Sequence, residues 1–423
     1  MLTTMEKYVR QNLKYNINVG LWDGTLFGLA LGFASFGTVL PLFVASMTTS
    51  AVLIGLVPAI HAVGWQLPQL FTASHISRLR KYKPHVLLMT IHERIPFLGF
   101  ALVALLLPTI GTQAGLILTF IFLIWQGLGG GFTANGWTSM ISKIIPPETR
   151  GTFFGLQSGV ANLFISGSAI AAGYILSSFD YSINFAICFL LAAFFFALSY
   201  VALAQTRELE DAEKVIPEEK THFWDDSKKI LRKDINFDWY LSARFLSQFA
   251  TMGFSFYIIY ALREFNMDAL TAGFLTATLT ISQTIANIGM GRVGDRTGHR
   301  AMLIFGAFAA LLSAFLAWNA TSILWFYPIF ILAGIANVAI WTNGMAITVD
   351  FGVEVERPLY IGLSQTLIAP ATILAPLLGG WIVDTAGFLP TFIISMILSI
   401  VVICILVFLV KDPRTHQYKL SKE

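Results

Sequence analysis

Mainly apolar runs recur along the chain, near 19–46, 51–73, 85–107, 113–140, 152–177 and 183–205. After a charged interval they resume near 239–262, 270–291, 301–318, 323–348, 359–383 and 388–410. Each is long enough to cross a bilayer core, which takes about 20 residues as a helix. Backbone groups in lipid must hydrogen-bond within their own segment, so helices are the economical spanning form at this length. The pattern predicts an all-α membrane protein with twelve transmembrane helices in two sets of six.

Composition agrees. Apolar residues make up 56% of the chain and charged residues 12%, against about 25% charged in a soluble domain. The opening MLTTMEKYVRQNLKY lacks the layout of a cleaved signal, so the first helix is expected to stay attached. Cys188 and Cys404 lie in separate predicted helices and offer neither a disulfide framework nor metal-ligand spacing. No metal, cofactor or nucleic-acid partner is expected.

The net charge of +3 matters less than its placement. Basic residues gather before the first helix (Lys7, Arg10, Lys14), between the second and third (Arg78, Arg80, Lys81, Lys83) and after the fourth (Lys143, Arg150). They return between the eighth and ninth (Arg292, Arg296, Arg300) and in the tail (Lys411, Arg414, Lys419, Lys422), whereas the opposite short loops carry only Arg263. The positive-inside rule then places both termini in the cytoplasm of a multi-pass inner or plasma membrane protein.

The only long hydrophilic interval, 206–238, divides the chain into six-helix bundles at 1–205 and 239–423. Its first part is acidic (Glu208, Glu210, Asp211, Glu213, Glu218, Glu219). In its second part Phe223, Ile230 and Leu231 fall at helical spacing, with Asp225 and Asp226 early and Arg232 and Lys233 late. This reads as a short amphipathic helix on the membrane surface, or else as a solvated linker. The halves repeat weakly. RGTFFGLQ at 150–157 matches RPLYIGLS at 357–364, and Gly32-Phe33 matches Gly253-Phe254. Parallel six-helix repeats are an arrangement that forms binding sites near the midplane.

GRVGDRTGHR at 291–300 resembles the signature loop of the major facilitator superfamily, G-x-x-x-D-R-x-G-R-R, through Gly291, Asp295, Arg296, Gly298 and Arg300, with His299 where an Arg is usual. The resemblance covers the whole chain and implies a secondary transporter that works by alternating access. There are departures. TASHISRLRKYKP, in the corresponding place of the first half, has basic charge without the Asp-Arg pair. QGLGGG at 126–131 resembles the family's Q-G-x-G motif, yet Leu123 stands where proton-coupled members often carry Arg. GSAIAAG lacks the Gly-Pro pair associated with drug/proton antiporters, while APLLGG occurs at 375–380.

Charges inside spans are the candidate chemistry. His92, Glu93 and Arg94 lie side by side, about 12–15 Å along the third helix from Pro84. No opposite charge stands three or four residues away, so any partner must come from another helix or from water. Pro96 crowds the carbonyl of His92 and predicts a kink there. A zinc-protease reading of HERIP fails because Pro96 replaces the second His. The other charges within spans are Asp23 and Arg244, at equivalent positions of the two halves, and a pairing between them is one expectation. Two readings of these charges stand: a carboxylate (Asp23 or Glu93) that exchanges a proton beside Arg94 or Arg244, or a set of fastenings between helices.

The resemblance implies a cavity lined by the first, fourth, seventh and tenth helices. Its candidate residues here are Gln126, Asn135, Trp137, Asn337, Trp341 and Asn343, with Gln248, Gln66, Gln69, Gln283, Asn287 and Gln365 second. Side-chain amides also glue membrane helices together. The expected partners are a small organic solute, protons and the lipid bilayer, and the expected state is a monomer. Proton-coupled export of a drug-like or amphipathic solute is favoured, with a sugar- or metabolite-type symporter or uniporter as the rival. A membrane-embedded enzyme using His61, His92, Glu93 or Asp23, or a lipid scramblase, is the rival from another class. No G-x-x-x-x-G-K-[ST] loop appears that would cradle a nucleotide.

Overall fold

A computed structural model of the chain describes residues 4–211, 230, 231, 233–351 and 357–413. Most of the linker helix expected near 223–233 therefore lies outside the described residues, as does the Asp295 side chain. The first half supplies α1 (Thr4–Phe33), α2 (Val39–Ala45), α3 (Ala51–Ser77), α4 (Lys83–Arg94), α5 (Pro96–Ile144), α6 (Pro147–Ser178) and α7 (Ile183–Ala204). The second supplies α8 (Ile235–Ala250), α9 (Tyr257–Phe265), α10 (Ala269–Thr297), α11 (His299–Trp318), α12 (Phe326–Val338), α13 (Gly344–Val349), α14 (Arg357–Ala386) and α15 (Phe388–Cys404). Short π-helices occupy Ala339–Asn343 and Ile405–Leu409.

Among the described residues ten stretches are long and apolar enough to cross a membrane, and the elements follow the expected crossings with local breaks. The first crossing divides into α1 and α2 around Ser35 and Gly37, where a turn bonds Leu40 N–H to the Ser35 carbonyl at 3.0 Å. The third and fourth share one 62-residue helical stretch, Lys83–Ile144. It reverses at Gly111, whose φ of 78° and ψ of 164° suit a residue without Cβ. The two arms then pack face to face. Gly99 lies against the Phe122 ring, and a Cβ on Gly129 would collide with the His92 backbone. The helix ladder stops at Ile95, one residue before Pro96, as the missing N–H and the ring's bulk require.

The chain forms two compact units. Unit 1 comprises 1–49, 60–219 and 268–277; unit 2 comprises 50–59, 220–267 and 278–423. In unit 1, α1 presents Gly20, Gly24, Gly28 and Gly32 to α6. A Cβ on these glycines would strike Phe153, Gln157, the Ala161 backbone and Ser168 in turn. Small residues every fourth position let membrane helices approach this closely. The glycines of QGLGGG serve the same end. Gly127 and Gly131 pack on Gly64 of α3, and Gly129 and Gly130 on α4. The N-terminus of α4 is held by Glu208, which accepts from the N–H groups of Tyr82 (2.9 Å) and Lys83 (2.7 Å) and pairs with Lys143 at 3.0 Å. Glu208 is buried, so it anchors α4 and does not belong to the solvated acidic run.

In unit 2, α8 packs on α14 and α15, and α11 on α12 and α15. Phe237, Tyr240, Phe351 and Tyr360 interlock as an aromatic cluster, and the Tyr240 hydroxyl lies 2.7 Å from that of Thr348. The start of α3 belongs to this unit. Asp384 of α14 accepts from the Ala51 N–H at 2.7 Å and the Ser50 hydroxyl at 3.0 Å, which caps an otherwise unsatisfied helix end.

Candidate functional site

Successive helical residues are rotated by about 100°, so three in a row cannot share a face. The structure distributes His92, Glu93 and Arg94 accordingly. His92 is exposed on the bundle surface, where its Nδ1 accepts from the Trp125 indole N–H at 3.2 Å. Glu93 and Arg94 are buried at 9% and 7% exposure.

Arg94 finds its partners on α1 and α7. Its Nη2 donates to the Ser199 hydroxyl at 2.9 Å, and that hydroxyl donates to Asp23 Oδ1 at 2.6 Å. The direct guanidinium–carboxylate separation is 3.6 Å. Nε donates to the Phe196 carbonyl at 3.2 Å, Nη1 reaches the Thr90 carbonyl at 3.5 Å, and the Phe27 ring faces the guanidinium at 5.5 Å. The cation that pairs with Asp23 is therefore Arg94, not Arg244 as the equivalence of positions suggested. Equivalent positions share a place in each repeat, which does not require them to touch.

Glu93 stands apart within the same buried cluster. Its hydrogen-bond partner is the Thr90 hydroxyl, at 3.4 Å. The carboxylate fills the space over Gly130, where an added Cβ would lie 3.1 Å from Oε1 and 3.3 Å from Trp65. Beyond it, His61 stacks on Phe36 with ring centroids 3.7 Å apart, and its Nδ1 lies 2.9 Å from Gln126 Oε1.

Arg244, buried at 3%, donates from Nη1 to Ser364 at 2.8 Å and from Nη2 toward the Ile340 carbonyl at 3.4 Å. The amide and indole candidates divide. Asn135 donates to the Gln69 carbonyl (2.6 Å) and the Thr72 hydroxyl (3.0 Å), tying α5 to α3. Trp137 packs against Phe154, and Asn343 lies 3.1 Å from His299. These three act within their own units. Gln248 accepts from Thr372 at 3.4 Å but, among the described residues, leaves Nε2 without a partner, and Gln66 and Gln365 each keep a buried Oε1 with no partner among those residues. Asn337 and Trp341 are half-buried, on α12 and in the π-helix.

The loop at 291–300 turns at Gly298, where φ is 92°. Arg300 donates to the carbonyls of Leu406 (2.7 Å) and Val407 (2.6 Å), at the π-helical end of the last crossing. His299 is buried, and its ring fills the space over Gly294. Arg296 is exposed and Gly291 has open space above it.

The sequence profile of the Major Facilitator Superfamily matches residues 26–261 and 240–423. The chain belongs to this superfamily. Solved superfamily-fold neighbours include a POT family transporter in complex with 5-aminolevulinic acid. It has a TM-score of 0.71 and 13% identity, covering 95% of this chain and 96% of that one. A D-xylose-proton symporter has a TM-score of 0.72 and 15% identity, covering 94% and 98%. At such identities the likeness shows the fold. Multidrug resistance protein 2 of Bacillus subtilis (strain 168) is 29% identical over 151 residues, and Multidrug resistance protein 1 is 25% identical over 131. The matches span 38% and 34% of those relatives' lengths. Within this superfamily chain, Ser199 is the site residue that sequence reasoning missed. A serine in an aromatic run of α7 carries no signal until the bundle places it between Asp23 and Arg94.

Proposed function

We propose that this superfamily member is a proton-coupled secondary transporter that exports a small amphipathic or drug-like organic solute, with Glu93 as the proton carrier. The observation that carries the coupling is the charge count of the buried cluster: Asp23, Glu93 and one guanidinium, Arg94. An unpaired charge at bilayer depth costs about 2.5–3.5 kcal/mol on insertion scales. Asp23 meets that cost through Arg94 and Ser199. Glu93 has a hydroxyl and, among the described residues, no cation of its own at ion-pair distance, so it sheds the cost by taking a proton. Release follows when the site opens to water or when a cationic solute approaches. Asp23 and Arg94 are then the fixed pair, and the Thr90 hydroxyl orients the Glu93 carboxyl.

In this reading each unit offers solute contacts of its own: in unit 1 Gln66, an amide with spare hydrogen-bonding capacity, and the partly exposed Trp65 ring, and in unit 2 the amides Gln248 and Gln365 and the Trp341 ring. They suit an uncharged or singly charged ring-bearing molecule. The names of the two Bacillus subtilis relatives favour a drug-like solute over a sugar. The alternating basic loops support cytoplasmic termini in an inner or plasma membrane, and we take the working unit to be a monomer.

The test is proton movement in liposomes holding the purified protein, challenged with lipophilic cations, neutral drugs and sugars. Solute-dependent proton flux is expected in the wild type and absent in Glu93→Gln. Solute flux with no proton movement would remove the coupling. Covalent alteration of the solute would remove the transporter reading.

A further inference from the structure

One face of unit 2 takes no part in the buried charge chemistry. A groove of about 670 Å³ runs between three helices of that unit, lined by Ile285, Gly289 and Val293 of α10, Met302 and Phe305 of α11 and Ile335 of α12. Helix packing at its base is close: a Cβ on Gly334 of α12 would lie 2.9 Å from the Ser282 hydroxyl of α10. The walls are open. Ile285 is 66% exposed and Phe305 50%, and a Cβ added to Gly289 would meet nothing within 4 Å. On a membrane-spanning chain such a surface escapes the cost of apolar hydration by facing lipid.

The groove lacks the few convergent polar groups that orient a solute. Ser282 already donates to the Ile331 carbonyl at 2.7 Å, and Thr278 is engaged as well. Its charge lies at one end. At about 100° per residue, Ile281, Ile285, Gly289, Arg292 and Arg296 fall within about 80° of one another on a single stripe of α10. Both arginines are exposed, in the last two turns of that helix. From Thr278 to Val293 the groove follows α10 for about 22 Å, against about 15 Å for one leaflet of the bilayer core. An occupant that matches this surface has a long apolar chain and an anionic head.

We propose that the groove is a binding site for one anionic phospholipid of the bilayer, with an acyl chain along α10 and the phosphate-bearing headgroup at Arg292 and Arg296. Guanidinium groups take phosphate oxygens through paired N–H donors, and basic pockets between membrane helices hold acidic headgroups. A second copy of the chain fits less well. A two-fold dimer built on this groove in one membrane would bring the arginines of both copies together at the same depth. The inference needs only the membrane-spanning fold, so it stands whether or not Glu93 carries a proton.

The test titrates delipidated full-length protein in detergent with phosphatidylglycerol and, separately, with phosphatidylcholine of the same acyl chains, and counts bound lipids by native mass spectrometry. Phosphatidylglycerol is expected to fill one saturable site that phosphatidylcholine fills only weakly. Replacing both cations, Arg292→Gln with Arg296→Gln, should weaken that site about 25-fold, from about fivefold for each cation near an anionic headgroup. Gly289→Leu fills the groove with a good helix former and keeps both arginines; it should abolish the site. The altered positions are exposed, so both lipid-free variants should keep the wild-type thermal midpoint. Inorganic phosphate, which shares the headgroup chemistry without a chain, should not compete, and competition by it would overturn the lipid assignment. Equal affinities for the two lipids, or full binding in either variant, would overturn the site. So would a dimer that forms on delipidation and disappears in Gly289→Leu, which would give the groove to a second copy.

Discussion

Ser199 bridges Asp23 and Arg94 by giving one hydrogen bond and taking another, so its removal should loosen a pair it does not itself charge. Ser199→Ala is expected to lower stability by about 1–3 kcal/mol, the range for a buried group left unsatisfied, measured by denaturation in mild detergent. The two carboxylates of the cluster should then separate sharply. Asp23→Asn strands a buried guanidinium and is expected to cost about 3–5 kcal/mol. Glu93→Gln mimics the neutral, protonated carboxyl that the buried cluster favours and should leave stability unchanged or slightly higher. Equal losses in both variants would mean that Arg94 serves the two acids alike. The charges themselves were legible in the sequence, because Asp23, Glu93, Arg94 and Arg244 stand out in apolar surroundings. Their partners were not. Repeat symmetry pointed from Asp23 to Arg244, whereas packing of α1, α4 and α7 joins Asp23 to Arg94. His92 shows the same limit: adjacency in sequence grouped it with Glu93, and helical rotation turns it outward.

The seam of α1 rests on glycines four residues apart, so a larger side chain there must push α6 away. Gly28→Val is expected to cost about 1–3 kcal/mol or more by overpacking against the Ala161 backbone. The same change at Gly159, which has open space above it, should cost little. Thermal unfolding of the two variants side by side checks the contrast. Asp268 begins α10 by accepting from the Thr271 N–H at 2.9 Å, and the hydrogen bonds from Thr271 hold its carboxyl below the usual carboxylate range. A depressed value in the folded state means that its stabilisation is present above the unfolded value, about pH 4, and is lost as pH falls through the folded one. Asp268→Asn should therefore differ from wild type near neutrality and converge with it in acid. Hydropathy made most of the expected crossings legible because they are long apolar runs. It could not show that Gly111 is a reversal inside one helical stretch, since a positive φ leaves no trace in hydrophobicity. Nor does the spacing of the α1 glycines name α6 as the helix they pack on. Glu208 read as one acid in a run because nothing local marks it as the anchor of α4.

At the scale of the molecule, each compact unit draws on both halves of the sequence. Unit 1 takes 268–277 and unit 2 takes 50–59. The functional claim rests on Glu93 carrying a proton that Asp23, already paired, does not. The measurement that tests it most directly compares two transport modes of Glu93→Gln in proteoliposomes with one accepted solute. Exchange of labelled for unlabelled solute needs the protein to change state but no net proton movement, and it should persist. Accumulation driven by an imposed pH gradient should be lost. If Glu93→Gln still accumulates solute against its gradient, the proton travels elsewhere and the account of this site is wrong.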